Sequence, residues 1–596
     1  MKKVEKNNHI SNGLYILKHS LKFDKGFLIN LIVYSVMVSV IPFLSTILSK
    51  VLIDDLLAHS QFSRIIAVLL GFLLIGLLTQ GISPYIRSVY EPKLMYIREK
   101  FLQMLNLKTM QIDYTYIESP EIGDRLKLAM RAVADNQVGI ESILNKVFSG
   151  AGIIITILLY GYIIARSRFF LVLLLVVISA IVFFITNKTK EFELKNSTEY
   201  VNKEREKNYF YDVMSDFSYG KDIRAYKIQD YLISKYDDIC KKLINVKKRI
   251  NIVYMFGDAS INLLKTVGII ISYGVFIIDF SKTKISAGDF FLYTNSAIIF
   301  STMLVQLYEI VSDIMMQSHY IDDYRQYMEL EEYESDSGEQ IDSIRSIEFI
   351  NVSFKYPNSD KMILKNVSFK ITGSEKIALV GLNGAGKTTL VKLICGFYKP
   401  TSGKILINDI EVEKISKHSY IKCISALFQD YNLFSFSINE NISGMDSEES
   451  KQKTKEVVEE LGIYDWIKKL PKELDTTIFR IIDEEGVNLS GGQSQKVALA
   501  RTMYKRANVI LLDEPTAALD AIAEEQLYKE FNELVKDRMV IFISHRLSST
   551  RFCDRIISIE DGGISEIGSH ECLMEQKGRY YQLFKLQAEK YDISKN

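Results

Sequence analysis

Five stretches of this chain, residues 26–49, 65–82, 147–165, 169–185 and 290–308, contain no Asp, Glu, Lys or Arg, and a sixth, 259–278, contains one charge, Lys265. A hydrocarbon core about 30 Å thick is crossed by about 20 helical residues. A helix buried in a soluble protein rarely stays apolar on every face. The six runs therefore predict six membrane-spanning helices, and this constrains the fold more than any other feature.

Loop lengths set the topology. The connections at 54–64, 166–168 and 280–287 are short, whereas 85–146 and 186–258 are long and rich in Lys and Arg. The charge rule places those long connections, and with them both termini, in the cytoplasm. Their helix-forming composition predicts that the spans continue as helices well beyond the membrane. Breaks at 117–126 and 217–226 are expected to form turns at the cytoplasmic tips of two helical hairpins. The polar start, MKKVEKNNHISNG, lacks the apolar stretch and cleavage site of a secretory signal, so insertion relies on the later helices.

Lys265 interrupts an apolar span, and an ionisable group at that depth pairs, snorkels or faces a wet cavity. Asp258 lies seven positions earlier, about 10.5 Å along the axis at 1.5 Å per residue, and is its expected partner if the lysine is structural. The alternative places Lys265 on a transport pathway, favouring anionic cargo.

From residue 329 onward the composition becomes that of a charged soluble domain. The resulting division is 1–25 (a cytoplasmic or interfacial segment), 26–328 (a membrane domain), 329–345 (a linker) and 346–596 (a soluble domain). Lys+Arg and Asp+Glu are both 73, which removes any global electrostatic argument for nucleic acid as a partner. Cys240, Cys395, Cys423, Cys553 and Cys572 show no metal-ligand spacing and all fall in segments assigned to the cytosol, as expected of a reducing compartment. The Lys-, Ile- and Asn-rich composition points to a bacterial source.

In the soluble domain a strand-like run, 376–380, leads directly into Gly381-Leu-Asn-Gly-Ala-Gly-Lys-Thr-Thr389. This is the P-loop pattern in its required setting, strand before and helix after. Glycines there let backbone N–H groups turn toward phosphate oxygens at a helix N-terminus. Gly381, Asn383, Gly384, Gly386, Lys387, Thr388 and Thr389 are thus candidate ATP-binding residues; Lys387 is expected to reach the β- and γ-phosphates and Thr388 to ligate Mg²⁺. A second motif, Leu489-Ser-Gly-Gly-Gln493, precedes a helix, and the apolar run 509–512 ends in Asp513-Glu514. Asp513 is the candidate for Mg²⁺ and Glu514 for polarising the attacking water, the components that phosphoryl transfer requires.

The ordered set of P-loop, Gln429, Leu489 to Gln493, Asp513-Glu514, Ala518-Leu-Asp520 and Ser544-His545 resembles the nucleotide-binding domain of ABC transporters. With six preceding spans the whole chain resembles a bacterial ABC exporter half. The implied fold is an all-α polytopic membrane domain followed by an α/β P-loop NTPase domain of ABC type. The resemblance implies that Tyr356 stacks on adenine, Gln429 touches Mg²⁺ and senses the membrane domain, His545 contacts the γ-phosphate and Asp520 lies at a dimer seam. Ser490, Gly491, Gly492 and Gln493 would contact nucleotide held by the opposite protomer, so two chains, most simply two identical ones, would close around each ATP. The breaks at 117–126 and 217–226 occupy the places of the family's coupling helices. Asp483-Glu-Glu-Gly486 resembles the exporter loop before the signature; Asp483 and Glu485 depart from its pattern, so only Glu484 is carried over, as a contact to the membrane domain.

The implied function is ATP-driven export of an amphipathic solute, whether peptide, lipid or drug-like, across a bacterial plasma membrane. Import by the same fold, as in siderophore uptake, half of a heterodimer, and an ATP-gated channel or regulator are the alternatives. Intact Glu514 and His545 argue against the last, because gating needs no fast turnover. The segment before Gly26 leaves no room for a leader-cutting peptidase domain, so a peptide cargo is expected to be cut elsewhere or exported whole.

Overall fold

The computed structural model describes residues 9–78, 81, 83–333, 338–357, 359–515, 535–543 and 547–591. The chain divides into two compact units, 1–109 with 123–329, and 110–122 with 330–596. The short segment 110–122 therefore packs with the second unit although its chain neighbours on both sides belong to the first.

The first unit is helical: α1 (His9–Phe23), α2 (Phe27–Leu57), α3 (Phe62–Leu77), α4 (Ser83–Gln111), α6 (Pro120–Arg131), α7 (Gly139–Ser215), α8 (Gly220–Tyr226), α9 (Gln229–Ser281) and α10 (Ala287–Met328), with the four-residue α5 (Tyr114–Ile117) in the inserted segment. Among the described residues α2, α7, α9 and α10 are long and apolar enough to cross a membrane, and α3 is a shorter apolar helix. The six apolar runs occupy five helices because α7 carries two. It breaks at Arg168, whose φ of −148° and ψ of 90° are not helical. The Arg168 guanidinium donates from Nε (2.8 Å) and Nη2 (2.6 Å) to the two carboxylate oxygens of Asp279, near the end of α9, a bidentate geometry that fixes direction as well as contact.

Apolar helices in lipid gain no hydrophobic drive from meeting each other, so they associate through close packing. Gly161 shows how: a Cβ there would come within 2.9 Å of the Phe300 ring, so glycine lets α7 and α10 approach. Tyr160, Ile164, Leu171, Leu175, Phe276, Ala297, Phe300 and Leu304 fill the resulting core. The buried Tyr160 hydroxyl meets Thr46 Oγ1 of α2 at 2.9 Å, leaving no unsatisfied polar tip.

The expected tip turns are short helices instead. Pro120 opens α6, a position where its missing N–H costs nothing, and Asp113 caps α5 by accepting from the Thr115 N–H at 3.0 Å. The second break holds a 3-10 turn at Phe217–Tyr219 followed by α8. Asp216, just before the second break, caps that turn by accepting from the Ser218 N–H at 2.8 Å.

The second unit contains two sheets. One orders its strands β2-β1-β4-β5 and is antiparallel, from β1 (Ser346–Phe354), β2 (Leu364–Thr372), β4 (Ser402–Ile407) and β5 (Ile410–Glu411). The other, ordered β10-β9-β3-β8-β7-β6, comprises β3 (Lys376–Val380), β6 (Ile424–Leu427), β7 (Val509–Asp513), β8 (Met539–Ile543), β9 (Arg555–Glu560) and β10 (Gly563–Gly568). It is parallel except for the β9–β10 pair. Strands β7 and β8 are buried at every position, as expected of a parallel sheet covered on both faces. The carboxyl ends of β3 and β7 deliver the P-loop and Asp513 to the same edge, since both flank β8.

Candidate nucleotide site

Strand β3 passes into the loop 381–386 and then into α11 (Lys387–Ile394). Gly386 precedes α11 with φ +106°, a conformation that disfavours any side chain, and a Cβ there would sit 2.7 Å from Leu364. Gly381 is constrained by contact, because a Cβ would fall 2.3 Å from the Ile559 carbonyl oxygen. The Lys387 ammonium donates to the carbonyls of Gly381 (2.9 Å) and Leu382 (3.1 Å), closing the loop on itself. Burial lowers its pKa, against the opposing pull of the Glu514 and Asp513 carboxylates.

Thr388 Oγ1 donates to Asp513 Oδ2 at 2.9 Å. Asp513 is 2% exposed and its other oxygen, Oδ1, is buried without a hydrogen-bond partner. Burial raises its pKa, partly offset by the Thr388 hydrogen bond. Adjacent hydroxyl and carboxylate oxygens, one of them buried and unsatisfied, form the donor set that a hard divalent cation such as Mg²⁺ takes.

Glu514 follows in a left-handed conformation, φ +51°, rare for a residue with a side chain. Two contacts hold the backbone there and a third fixes the side chain. Its N–H donates to the Ile543 carbonyl at 3.0 Å, the Gln495 amide donates to its carbonyl at 3.2 Å, and Gln429 Nε2 donates to its Oε2 at 3.0 Å. Strain held by surrounding bonds is a mark of functional positions. Gln429 and Glu514, 85 residues apart, are thereby brought together. Gln495 was missed in the sequence; the available signal was a glutamine five positions after Ser490 on the face of the helix Gly491–Tyr504 that buries Val497 and Ala498.

Tyr356 lies in the loop between β1 and β2, half-buried, and its hydroxyl meets Thr389 Oγ1 at 3.0 Å. Ser490 caps the helix Gly491–Tyr504 by accepting from the Gln493 N–H at 3.3 Å, while the Gln493 side chain accepts from the Ser490 N–H at 2.9 Å. This capping box exposes the helix start. Asn383 and Gly384 are exposed on the P-loop. Asp520 and His545 lie outside the described residues. In the loop before the signature, Asp483 accepts from the Glu485 N–H (3.0 Å) and Thr477 (3.2 Å), so the residue that departs from the family pattern staples the loop. Glu484 is exposed.

Residues 364–517 match the family model described as ABC transporter. The subtilin transport ATP-binding protein SpaT of Bacillus subtilis is 30% identical over 593 residues, 96% of this chain and 94% of that protein. The chain belongs to the ABC transporters. Like other members of the family it is a multi-pass membrane protein that binds nucleotide and couples ATP hydrolysis to transport. The nisin transport ATP-binding protein NisT of Lactococcus lactis subsp. lactis is 26% identical over 95% of both chains. An ATP-dependent lipid A-core flippase of Pseudoalteromonas translucida is 35% identical, over 51% of this chain and 52% of its own. The fold is that of a bacterial Atm1-family ABC exporter solved with ATP bound, with a TM-score of 0.82 at 20% identity, covering 95% of this chain and 98% of the other.

Proposed function

We propose that this transporter uses ATP to export an amphipathic peptide across a bacterial plasma membrane, with its ATPase unit and both termini cytoplasmic. The similarity to SpaT along nearly the whole of both chains carries this reading, because it includes the membrane helices that must meet the cargo. Resemblance to the lipid A-core flippase is confined to about half of each chain. Peptide is therefore favoured over lipid.

In the proposed cycle Tyr356 stacks on adenine, and the 381–389 loop surrounds the phosphates, with Lys387 turning from its own carbonyls to the β- and γ-phosphates. Thr388, Asp513 and Gln429 would hold Mg²⁺, which when bound offsets phosphate charge. Glu514 accepts a proton from a water whose oxygen attacks the γ-phosphorus; the bond from that phosphorus to the bridging oxygen breaks, releasing ADP and phosphate. His545 would contact the γ-phosphate. Ser490, Gly491, Gly492 and Gln493 would complete the site of a second identical chain, with Asp520 at the seam. The exposed helix start at Ser490 supports that role, since a helix N-terminus suits an anion.

The test reconstitutes the purified chain in vesicles with ATP outside. Subtilin and nisin should stimulate hydrolysis and accumulate inside, away from the ATP, while lipid A-core should do neither. Movement toward the ATP side would establish import instead, and stimulation by the lipid alone would remove the peptide assignment. Activity that requires a second, different subunit would replace the homodimer by a heterodimer.

A further inference from the structure

The segment 110–122 is stitched into the ATPase unit. Asp113 N–H donates to the Glu331 carbonyl at 3.0 Å, and Tyr333 N–H donates to the Gln111 carbonyl at 2.7 Å. Lys417 pairs with the Asp113 carboxylate at 3.4 Å. Tyr114 stacks on Phe397 with centroids 4.3 Å apart and planes 13° from parallel. These contacts anchor the segment; a second group does something more specific.

Glu118 accepts hydrogen bonds from the Lys392 ammonium, the Tyr398 hydroxyl and, at 3.3 Å, the Tyr114 hydroxyl. The pair is partly sheltered, with side-chain exposures of 18% for Lys392 and 34% for Glu118. Burial acts to raise the Glu118 pKa, but its three hydrogen bonds and the Lys392 charge outweigh it and hold the carboxyl below its ordinary value. Of these donors, Lys392 and Tyr398 also face Tyr356. Its ring lies 5.3 Å from that of Tyr398, edge to face at 90°, and the Lys392 ammonium sits 5.9 Å from its centroid. The Tyr356 hydroxyl in turn meets Thr389 at the start of α11. One carboxylate thus holds the two side chains that border one part of the Tyr356 ring, while Thr389 holds its tip.

We infer that Glu118 is a positioning residue for nucleotide binding: by clamping Lys392 and Tyr398 it fixes the orientation of Tyr356, so that affinity for the adenine base depends on segment 110–122 being seated. The inference rests on the proposed stacking of Tyr356 on adenine. Its chemistry is local. With the carboxylate removed, Lys392 turns to solvent, the Tyr398 hydroxyl loses its acceptor, and the ring that would stack on the base loses two of its restraints. Because 110–122 connects α4 to α6, a movement of those helices that withdrew Glu118 would weaken nucleotide binding without any change in the P-loop.

The test measures ATPase rate against ATP concentration, and equilibrium ATP binding, on the full chain in lipid vesicles. It compares wild type, Glu118→Ala, Glu118→Gln, Tyr356→Ala and the Glu118→Ala/Tyr356→Ala double variant. Loss of ring-edge and cation–ring contacts should raise KM and Kd for ATP roughly fivefold in Glu118→Ala. Glu118→Gln, which keeps an acceptor, should lie between it and wild type, and kcat should fall by less than KM rises. In the Tyr356→Ala background the Glu118 substitution should add nothing to KM. A KM unchanged in both Glu118 variants, while Tyr356→Ala raises it, overturns the clamp and leaves adenine stacking standing. An unchanged KM in Tyr356→Ala removes the stacking and the clamp with it. A Glu118 effect of equal size in both backgrounds shows action by another route and also overturns the inference.

Discussion

Replacing Glu514 by glutamine should separate hydrolysis from binding. The substitution keeps the side chain's length and the acceptor that Gln429 Nε2 reaches at 3.0 Å. The bonds that hold residue 514 at φ +51°, from its N–H to Ile543 and from Gln495 to its carbonyl, are made by the backbone and survive. What disappears is a carboxylate able to take a proton. A positioned general base contributes about 10²- to 10⁴-fold, which at 1.36 kcal/mol per decade is about 2.7 to 5.4 kcal/mol of barrier. Phosphate release by the purified variant should therefore fall at least a hundredfold, whereas equilibrium binding of ATP and the unfolding temperature remain close to wild type. Under the proposed dimer, ATP should also trap two chains in a closed state, visible as a cross-link between signature and P-loop of different copies. Turnover within tenfold of wild type would refute the assignment of Glu514. A large loss of ATP affinity would show instead that its carboxylate shapes the pocket.

Asp513→Asn should abolish turnover yet raise the unfolding temperature of the nucleotide-free protein in chelator, by an amount corresponding to about 1 kcal/mol of relieved carboxylate burial. Because burial raises the Asp513 pKa, its penalty is absent below the unfolded value near 3.8 and full above the raised one. The gap between variant and wild type should therefore widen with rising pH across that window, and a gap that narrows would contradict this origin. A cysteine placed at Lys282, beyond the end of α9, should react with an impermeant reagent on intact cells, whereas the exposed native Cys572 should react only after permeabilisation. External labelling of Cys572 would mean the spans are miscounted.

What could be read from the sequence is what depends on neighbours in the chain. The membrane runs were legible because a lipid environment demands apolar residues on every face, and the P-loop because its glycines, Lys387 and Thr388 are contiguous between a strand and a helix. The sharing of one edge by the P-loop and Asp513 was implied by motif order, but the intervening β8 that aligns them was not, since parallel strands carry no local signal of their neighbours. Contacts between distant residues were illegible for the same reason. Nothing near Glu118 announces that its partners, Lys392 and Tyr398, lie 274 and 280 positions away. The break at 117–126 was visible, but whether Pro120 ends a turn or begins a helix depends on what receives the segment.

Lys265 shows the same limit in the membrane unit and yields a further test. Helical spacing directs it along its own helix toward Asp258, yet among the described residues no hydrogen bond or ion pair joins the two. Its charge reaches instead toward the carboxylate of Glu309 on α10, at the end of the sixth span, as the weakest of the influences there, after burial, Lys190, Asp313 and Asp258. Lys190 of α7 and, more weakly, Lys265 of α9 are the cations that act on this carboxylate, a relation between helices that sequence spacing could not reveal. A partly buried carboxylate is costly unless a cation is near, so Lys265→Met should destabilise the protein more than its loss of one charge on an isolated helix would. Glu309→Gln should then be less harmful in the Lys265→Met background than in wild type. Interacting pairs of this kind show coupling of about 0.5 to 3 kcal/mol, and Lys190, which also acts on Glu309, places the expectation at the lower end. Unfolding temperatures of the two single variants and the double variant in the same lipid mixture measure it. Strict additivity would mean that Lys265 stabilises nothing through Glu309. An unchanged stability accompanied by altered cargo stimulation would return the lysine to the transport pathway, where its charge would act on the solute and not on α10.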